Sequence, residues 1–173
     1  MDRALGQGKD MKEPRESLSK LIRREDAGEL LGRRSRRDMS LALANGCFDM
    51  LHIGHVRYLK AAKDTADILL VAINSDASVK KLKGGGRPVV PEKERAEIVA
   101  SLACVDRVVI FGEETVRELI ADVEPDFHCK GGDYREEDVP ERDEVIKHGG
   151  RVRIVGGEKL RSSTDLIEKV TRR

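Results

Sequence analysis

The sequence predicts an α/β fold, a parallel sheet of five strands with helices on both faces. Two observations predict it. From Ser40 onward, short continuous apolar runs alternate with segments whose apolar residues recur at helical spacing. The links between runs are helical, so the strands lie parallel with right-handed crossovers. Leu41-Ala42-Leu43-Ala44 ends at Asn45-Gly46, a buried strand feeding a turn. From His55 to Lys63, Val56, Leu59 and Ala62 share one helical side and leave Arg57 and Lys60 to solvent or substrate. Asp67 to Ile73 reads as a strand. Pro91 to Leu102 reads as a helix with proline in its first turn and Ile98, Val99 and Leu102 inward. Val105 to Phe111 is the next strand and Thr115 to Val123 the next helix. Phe127 to Lys130 is a strand closed by Gly131-Gly132. Glu141 to His148 is a helix stopped by Gly149-Gly150, Arg151 to Val155 is the last strand, and Ser163 to Val170 is the closing helix. In such sheets ligands bind beyond the carboxyl ends of the strands, near a switch in strand order.

A chain of 173 residues predicts one domain with an arm. Lys and Arg number 33 against 32 Asp and Glu, a net charge of +1 that argues against a general nucleic-acid binder. The apolar runs fall far short of the roughly 20 residues a bilayer requires, and the polar start offers no signal peptide. Three widely spaced cysteines, Cys47, Cys104 and Cys129, make a disulfide framework unexpected and fit a reducing cytoplasm. Residues 1–16 have almost no periodicity and read as a disordered tail. Residues 17–39 read as a helical arm, with Ala27, Leu30 and Leu31 as a stripe that Gly28 weakens. Residues 40–173 form the domain. The arm holds the basic excess, and its run Arg33-Arg34-Ser35-Arg36-Arg37 is either a solvated helix end or a patch for an acidic partner.

The first chemistry-bearing segment is Asn45-Gly46-Cys47-Phe48-Asp49-Met50-Leu51-His52-Ile53-Gly54-His55. His52 and His55, three apart at a helix start, project on one side. Gly54 removes a side chain where a ligand needs close approach. Free amides at a helix start, with two imidazole donors beside them, suit a polyphosphate. On spacing alone, an ordinary core or surface pair of histidines fits equally. Asp49 does not complete a metal-ligand set. Gly84-Gly85-Gly86, between Lys83 and Arg87, reads as a linker or as a loop that closes over substrate; it lacks the ending of a P-loop. Cys47 and Cys129 have no base beside them, and His128 and His148 look incidental.

The His52-x-Gly54-His55 motif after a Gly-x-Phe-Asp turn resembles the signature of the cytidylyltransferase-like nucleotidyltransferase superfamily. Arg161-Ser162-Ser163-Thr164 stands where that family carries a Ser-Thr-Thr type motif, and its hydroxyls would form a second phosphate cradle. As a plain cap, Ser162 with Asp165 would serve instead. Asn45-Gly46-Cys47-Phe48-Asp49, Asn74-Ser75-Asp76, Leu82-Lys83-Gly84, Arg87-Pro88 and Lys130-Gly131-Gly132-Asp133-Tyr134 resemble the adenylyltransferase domain of bacterial ADP-heptose synthases. Two positions depart from the family pattern: Arg161 replaces a Tyr or Gly, and Ser163 replaces a Thr.

The resemblance implies a Rossmann-like fold of the His-x-Gly-His nucleotidyltransferase type. It implies transfer of AMP from ATP to D-glycero-β-D-manno-heptose 1-phosphate, giving ADP-heptose and pyrophosphate. His52 and His55 would meet the nucleotide phosphates, His55 nearest the α-phosphorus. Lys63 and Lys83 would be cations for acceptor and transition-state charge, although Lys83 also reads as a solvated surface charge. Arg95, Ser163 and Thr164 would hold the β- and γ-phosphates. Gly46, Cys47, Phe48, Gly54, Lys130, Gly131, Asp133 and Ser162 would complete the nucleotide site. Asp49, Asn74, Asp76, Arg87 and Tyr134 would lie on the acceptor side. Mg²⁺ would ride on the triphosphate with no protein ligand set. A homodimer and a separate upstream sugar kinase are implied, with no nucleic-acid or membrane partner. Rival readings keep the fold with flavin mononucleotide or glycerol 3-phosphate as acceptor, or CTP as donor. Another makes the chain a catalytically silent nucleotide-binding regulator.

Overall fold

A computed structural model describes residues 15–157 of the chain. The apolar runs build one parallel sheet around β2 (Leu41–Gly46), flanked by β3 (Ile68–Asn74) and β5 (Phe127–Gly131). The rest of the sheet is β1 (Leu21–Ile22), β4 (Arg107–Phe111) and β6 (Arg151–Val155), and the order is β1-β4-β3-β2-β5-β6. The chain therefore moves outward from β2 to β3 and β4, then crosses to β5 and β6 on the other side. That switch opens a crevice at the carboxyl end of β2.

Two cores hold the layers together, because successive strand residues face opposite ways. Leu41 and Leu43 point to one face, with Ala27 and Leu31 of α2 (Ala27–Leu31), Leu119, Ile120 and Val123 of α6 (Arg117–Val123) and Val145 of α7 (Arg142–Lys147). Ala42 and Ala44 point to the other, where α3 (Ile53–Lys63) and α5 (Glu92–Ala100) pack Leu59, Ala62, Ala96 and Val99. The two alanines keep β2 thin under α3, and larger side chains there would overpack the layer. The short α1 (Arg15–Leu18) precedes β1, and α4 (Asp76–Lys83) follows β3. Among the described residues no helix is long and apolar enough to cross a membrane.

The sheet has six strands where the alternation predicts five. Leu21 and Ile22 pair with Val108 and Val109, so the segment read as a helical arm contributes an edge strand. Two residues carry too little pattern to register as a strand. Leu30 of the predicted stripe is 51% exposed while Ala27 and Leu31 are buried, since a helix this short presents only one turn inward. Ile98 is also outward; Arg95 takes the inner face of α5 beside Ala96, Val99 and Ala100. The α4 helix was not predicted, because its lysines mask a single buried Val79. The basic run is not a helix end, because α2 stops at Leu31; Arg33, Arg34 and Arg37 are exposed and Arg36 alone is buried. Beyond α2, buried Arg36 pairs with Asp126 at 2.9 Å and donates to the Glu124 carbonyl, and Arg33 donates to the His148 carbonyl. The predicted closing helix and most of the tail, residues 1–14, lie outside the described residues.

Aspartates lock the amino-terminal edge of the sheet. Asp126 accepts the Leu41 amide at 2.8 Å, Asp67 the Ser40 amide at 2.8 Å, and Asp106 the Leu69 amide at 2.7 Å. Each satisfies a first-strand donor that has no ladder partner. The opposite edge is left for the site.

Candidate active site

A cavity of about 450 Å³ opens over the carboxyl ends of β2 to β6, a volume suited to a small ligand. Its floor is the β2–α3 turn. Phe48 sits there at φ 48°, a left-handed conformation unusual for a bulky residue. Its ring folds back under the turn, so a Cβ at Gly46 would meet it at 3.2 Å. The ring also backs His55, with centroids 5.2 Å apart.

His52 caps α3. Its Nδ1 accepts the Gly54 amide at 3.1 Å, and His55 Nδ1 accepts the His52 amide at 3.4 Å. The rings stack with centroids 3.9 Å apart. Burial, then the neighbouring His52, lowers the His55 pKa to about 4. His55 is thus neutral near pH 7, with its proton on Nε2, a donor rather than a cation. Both rings line the cavity.

Asp49 is buried and spends its carboxylate on the loop after α4. It accepts from Arg87 Nε at 2.5 Å and from the Val89 and Val90 amides at 2.7 and 3.0 Å. Arg87 and the exposed Lys83 line the cavity, and both bear on the Cys47 thiol, whose pKa burial pushes up. Asn74 lines it too, donating to Ser78 Oγ at 3.0 Å. On the β5 side, Lys130 Nζ is held by Asn45 Oδ1 at 2.9 Å and Glu141 at 3.2 Å, and lies 5.4 Å from the Tyr134 ring centroid. Gly131 and Asp133 follow it along the wall. Gly156, at φ 86°, lies so close to α3 that a Cβ would meet Tyr58 Cα at 3.0 Å.

Three predicted site residues are placed elsewhere. Lys63 is at the far end of α3, about 12 Å of helix rise from His55. It donates to Asp106 at 2.8 Å and to the Asp67 carbonyl, part of the amino-terminal lock. Two helix turns carry it out of the cavity lining. Arg95 is 1% exposed and does not line the cavity. It donates to the carbonyls of Val90 and Cys47 and to Asp76 Oδ1 at 2.7 Å, bracing the β2 turn against α4 and α5. Asp76 serves that brace rather than the cavity wall. Ser162, Ser163 and Thr164 lie outside the described residues.

Glu114, Thr115, Glu141 and Tyr58 line the cavity without having been singled out. The rule that ligands sit beyond strand ends points to Glu114 and Thr115, three and four residues past β4. Glu141 carries no sequence signal, because its role depends on Lys130 of another element.

A family model described as Cytidylyltransferase-like matches residues 43–169. The Bifunctional protein HldE of Syntrophotalea carbinolica is 45% identical over 152 residues, covering 88% of this chain and 31% of that protein. The protein of the same name from Geobacter metallireducens is 48% identical over 136 residues, covering 79% and 28%. The chain thus spans less than a third of the length of these relatives. A crystal structure of the lipopolysaccharide core biosynthesis protein from Thermoplasma volcanium superposes with a TM-score of 0.58 at 31% identity, over 68% of this chain and 94% of that one. Pantothenate synthetase from Thermus thermophilus shares the fold, with a TM-score of 0.57 at 16% identity over 83% of this chain and 63% of that one. Matched by the family model across most of its length, with the His52-x-Gly54-His55 turn at the centre of its cavity, the chain belongs to the cytidylyltransferase-like family.

Proposed function

We propose that the chain is an adenylyltransferase that joins the AMP of ATP to a sugar 1-phosphate, D-glycero-β-D-manno-heptose 1-phosphate, and releases pyrophosphate. The observation that carries this reading is the stacked pair His52 and His55, Nδ1 of each engaged by a backbone amide, at the start of α3 in the cavity. An acceptor phosphate oxygen attacks the α-phosphorus, the new O–P bond forms in line, and the bond to the β-phosphate oxygen breaks. The attacking oxygen is already anionic near neutral pH, so no general base is required. The protein then contributes positioning and charge stabilisation. His55 Nε2–H donates to the phosphoryl oxygens. Lys83 and Arg87 hold the acceptor phosphate, with Asp49 fixing Arg87. Lys130, Gly131 and Asp133 form the nucleotide side, and Tyr134, beside Lys130 on the same wall, is read with them rather than with the acceptor as the resemblance implied.

Among the described residues no three His, Cys, Asp or Glu side chains converge as a metal cage. Asp49 is already engaged by Arg87 and two amides. Mg²⁺, which this reading takes from the triphosphate itself, would neutralise phosphate charge there. The acceptor implies a kinase acting earlier on the free sugar, and ATP supplies a cytoplasmic setting. The HldE relatives and the lipopolysaccharide core biosynthesis protein support this choice of acceptor. The test incubates the protein with Mg²⁺, ATP or CTP, and separately the heptose 1-phosphate, flavin mononucleotide or glycerol 3-phosphate. Nucleotide-sugar formed with ATP and the heptose is the expected outcome. Turnover with another acceptor and none with the heptose would discard the reading.

A further inference from the structure

The loop after β4 supplies a cavity wall that the phosphate-directed residues do not explain. Residues 112–116 leave the sheet where the Ser75 amide donates to the Phe111 carbonyl at 2.8 Å, next to the carboxyl end of β3. Glu114 and Thr115 are exposed and line the cavity, with Val116 buried behind them. Glu113 turns the other way, to Arg24 Nε at 2.6 Å, and Arg24 Nη1 reaches Asp122 of α6 at 2.7 Å. The arm thereby ties this loop at Glu113 to α6 at Asp122 from outside. The Arg117 amide approaches Thr115 Oγ1 at 3.5 Å, which engages the oxygen and leaves the hydroxyl proton to donate.

The cavity has two unlike halves on either side of the histidines. Beyond β5 and β6 it is walled by glycine backbone, the Tyr134 ring and Lys130, whose charge is already spent on Glu141 and the Tyr134 ring, with Asp133 beside them. Beyond β3 and β4 it presents Lys83, Arg87, Glu114 and Thr115. An anionic phosphate is drawn to the two cations and repelled by Glu114. A carboxylate accepts hydrogen bonds from a donor while the Thr115 hydroxyl seeks an acceptor, and a ligand hydroxyl is both, which an ammonium is not. One molecule satisfies both ends: a monophosphate on a polyhydroxylated body.

We propose that Glu114 and Thr115 select the acceptor by binding its hydroxyls, with Arg24 as a positioning residue for their loop. This rests on the reading that the site takes a phosphorylated acceptor, and it adds where the rest of the acceptor lies.

The test measures KM for acceptor, KM for ATP and kcat with ATP and Mg²⁺, using heptose 1-phosphate, glycerol 3-phosphate and ethyl phosphate as acceptors. Wild type is compared with Glu114→Gln, Glu114→Ala, Thr115→Val, Arg24→Met and Arg24→Lys, and melting temperatures check folding. Loss of one charged hydrogen bond predicts a rise of about tenfold or more in KM for the preferred polyol acceptor in Glu114→Ala. KM for ATP should stay within about twofold, because the lost contact is on the acceptor alone. Glu114→Gln and Thr115→Val move in the same direction by less. Arg24→Met raises acceptor KM while sparing ATP, and Arg24→Lys restores part of it. Turnover of heptose 1-phosphate with acceptor KM unchanged in every Glu114 variant would overturn this inference and leave the proposed function standing. Preference for glycerol 3-phosphate, with the same Glu114 sensitivity, would support the inference and overturn the sugar acceptor. Ethyl phosphate used as well as either polyol would overturn the inference.

Discussion

Nδ1 of His55 accepts a backbone amide, and that bond decides what the ring can do. A neutral imidazole with one nitrogen engaged has a single N–H to offer, and in His55 it belongs to a ring lining the cavity. If that N–H meets charge growing on the α-phosphate, His55→Ala should lower kcat by about 10²–10³-fold, as for loss of one preorganised donor. Circular dichroism should show the fold retained, and near-normal turnover would return His55 to a structural role. Arg95 should behave in the opposite way. Its guanidinium is wholly buried and bound to two carbonyls and Asp76. Arg95→Ala should therefore destabilise by about 2–3 kcal/mol through buried groups left unpaired. Urea titration reads that loss, and an undiminished midpoint would contradict the brace. Lys63→Ala should change kcat by less than about twofold and stability by about 1 kcal/mol or less, because its ion pair is partly solvated.

Elements are where reading the sequence succeeds and fails for identifiable reasons. The runs at Leu41, Ile68 and Val108 are long and apolar, so the central strands were legible. The edge strand Leu21–Ile22 was not, because two residues cannot display a period. Its pairing rests on Val108 and Val109, which are distant in sequence. The arm offers a test at this scale. In α2, Leu31 is 5% exposed within the core shared with Leu119 and Ile120, whereas Leu30 is 51% exposed. Leu31→Ala should cost about 2–5 kcal/mol by lost burial and a residual cavity. Leu30→Ala should stay within about 0.5 kcal/mol. Thermal melts of the two variants decide it: equal losses would show that α2 is not seated as described. The Arg33–Arg37 run illustrates a different limit. Charge patterning exposes a cluster of cations, but only the fold brings Asp126 to Arg36.

At the scale of the whole molecule the two edges of the sheet carry different titratable groups, and titration follows from that arrangement. Carboxylates fasten the amino-terminal edge, while the carboxyl edge buries neutral imidazole and thiol groups around the cavity. The motif turn was legible because its residues are contiguous. The bracing roles of Arg95 and Glu141 were not, because each depends on partners from other elements. Protonation should trace the same partition. His55 falls from its ordinary 6.5 to about 4, mainly by burial. Burial likewise holds His128 well below 6.5, with Lys130 adding to the effect. Between those limits the unfolded chain binds more protons, so stability falls as pH drops below 6.5. Asp67, held low by Ser40, and Glu144, held low by Lys147 and His148, add losses near and below the carboxylate range. On the alkaline side, burial raises Cys129 from 9.0 to about 11 and also raises Cys47 and Cys104. There the unfolded chain loses protons first, so stability falls again as pH rises above 9. The expected Tm profile is a plateau between about pH 6.5 and 9 with a limb on each side. Replacing His128 tests the acid limb. Neither of its ring nitrogens has a hydrogen-bond partner among the described residues, so His128→Leu removes a buried polar ring without stranding a partner there. Its Tm at pH 7 should hold or rise, and its decline between pH 6.5 and 4 should be shallower than in wild type. An acid limb unchanged by that substitution would show that His128 does not resist protonation in the folded protein.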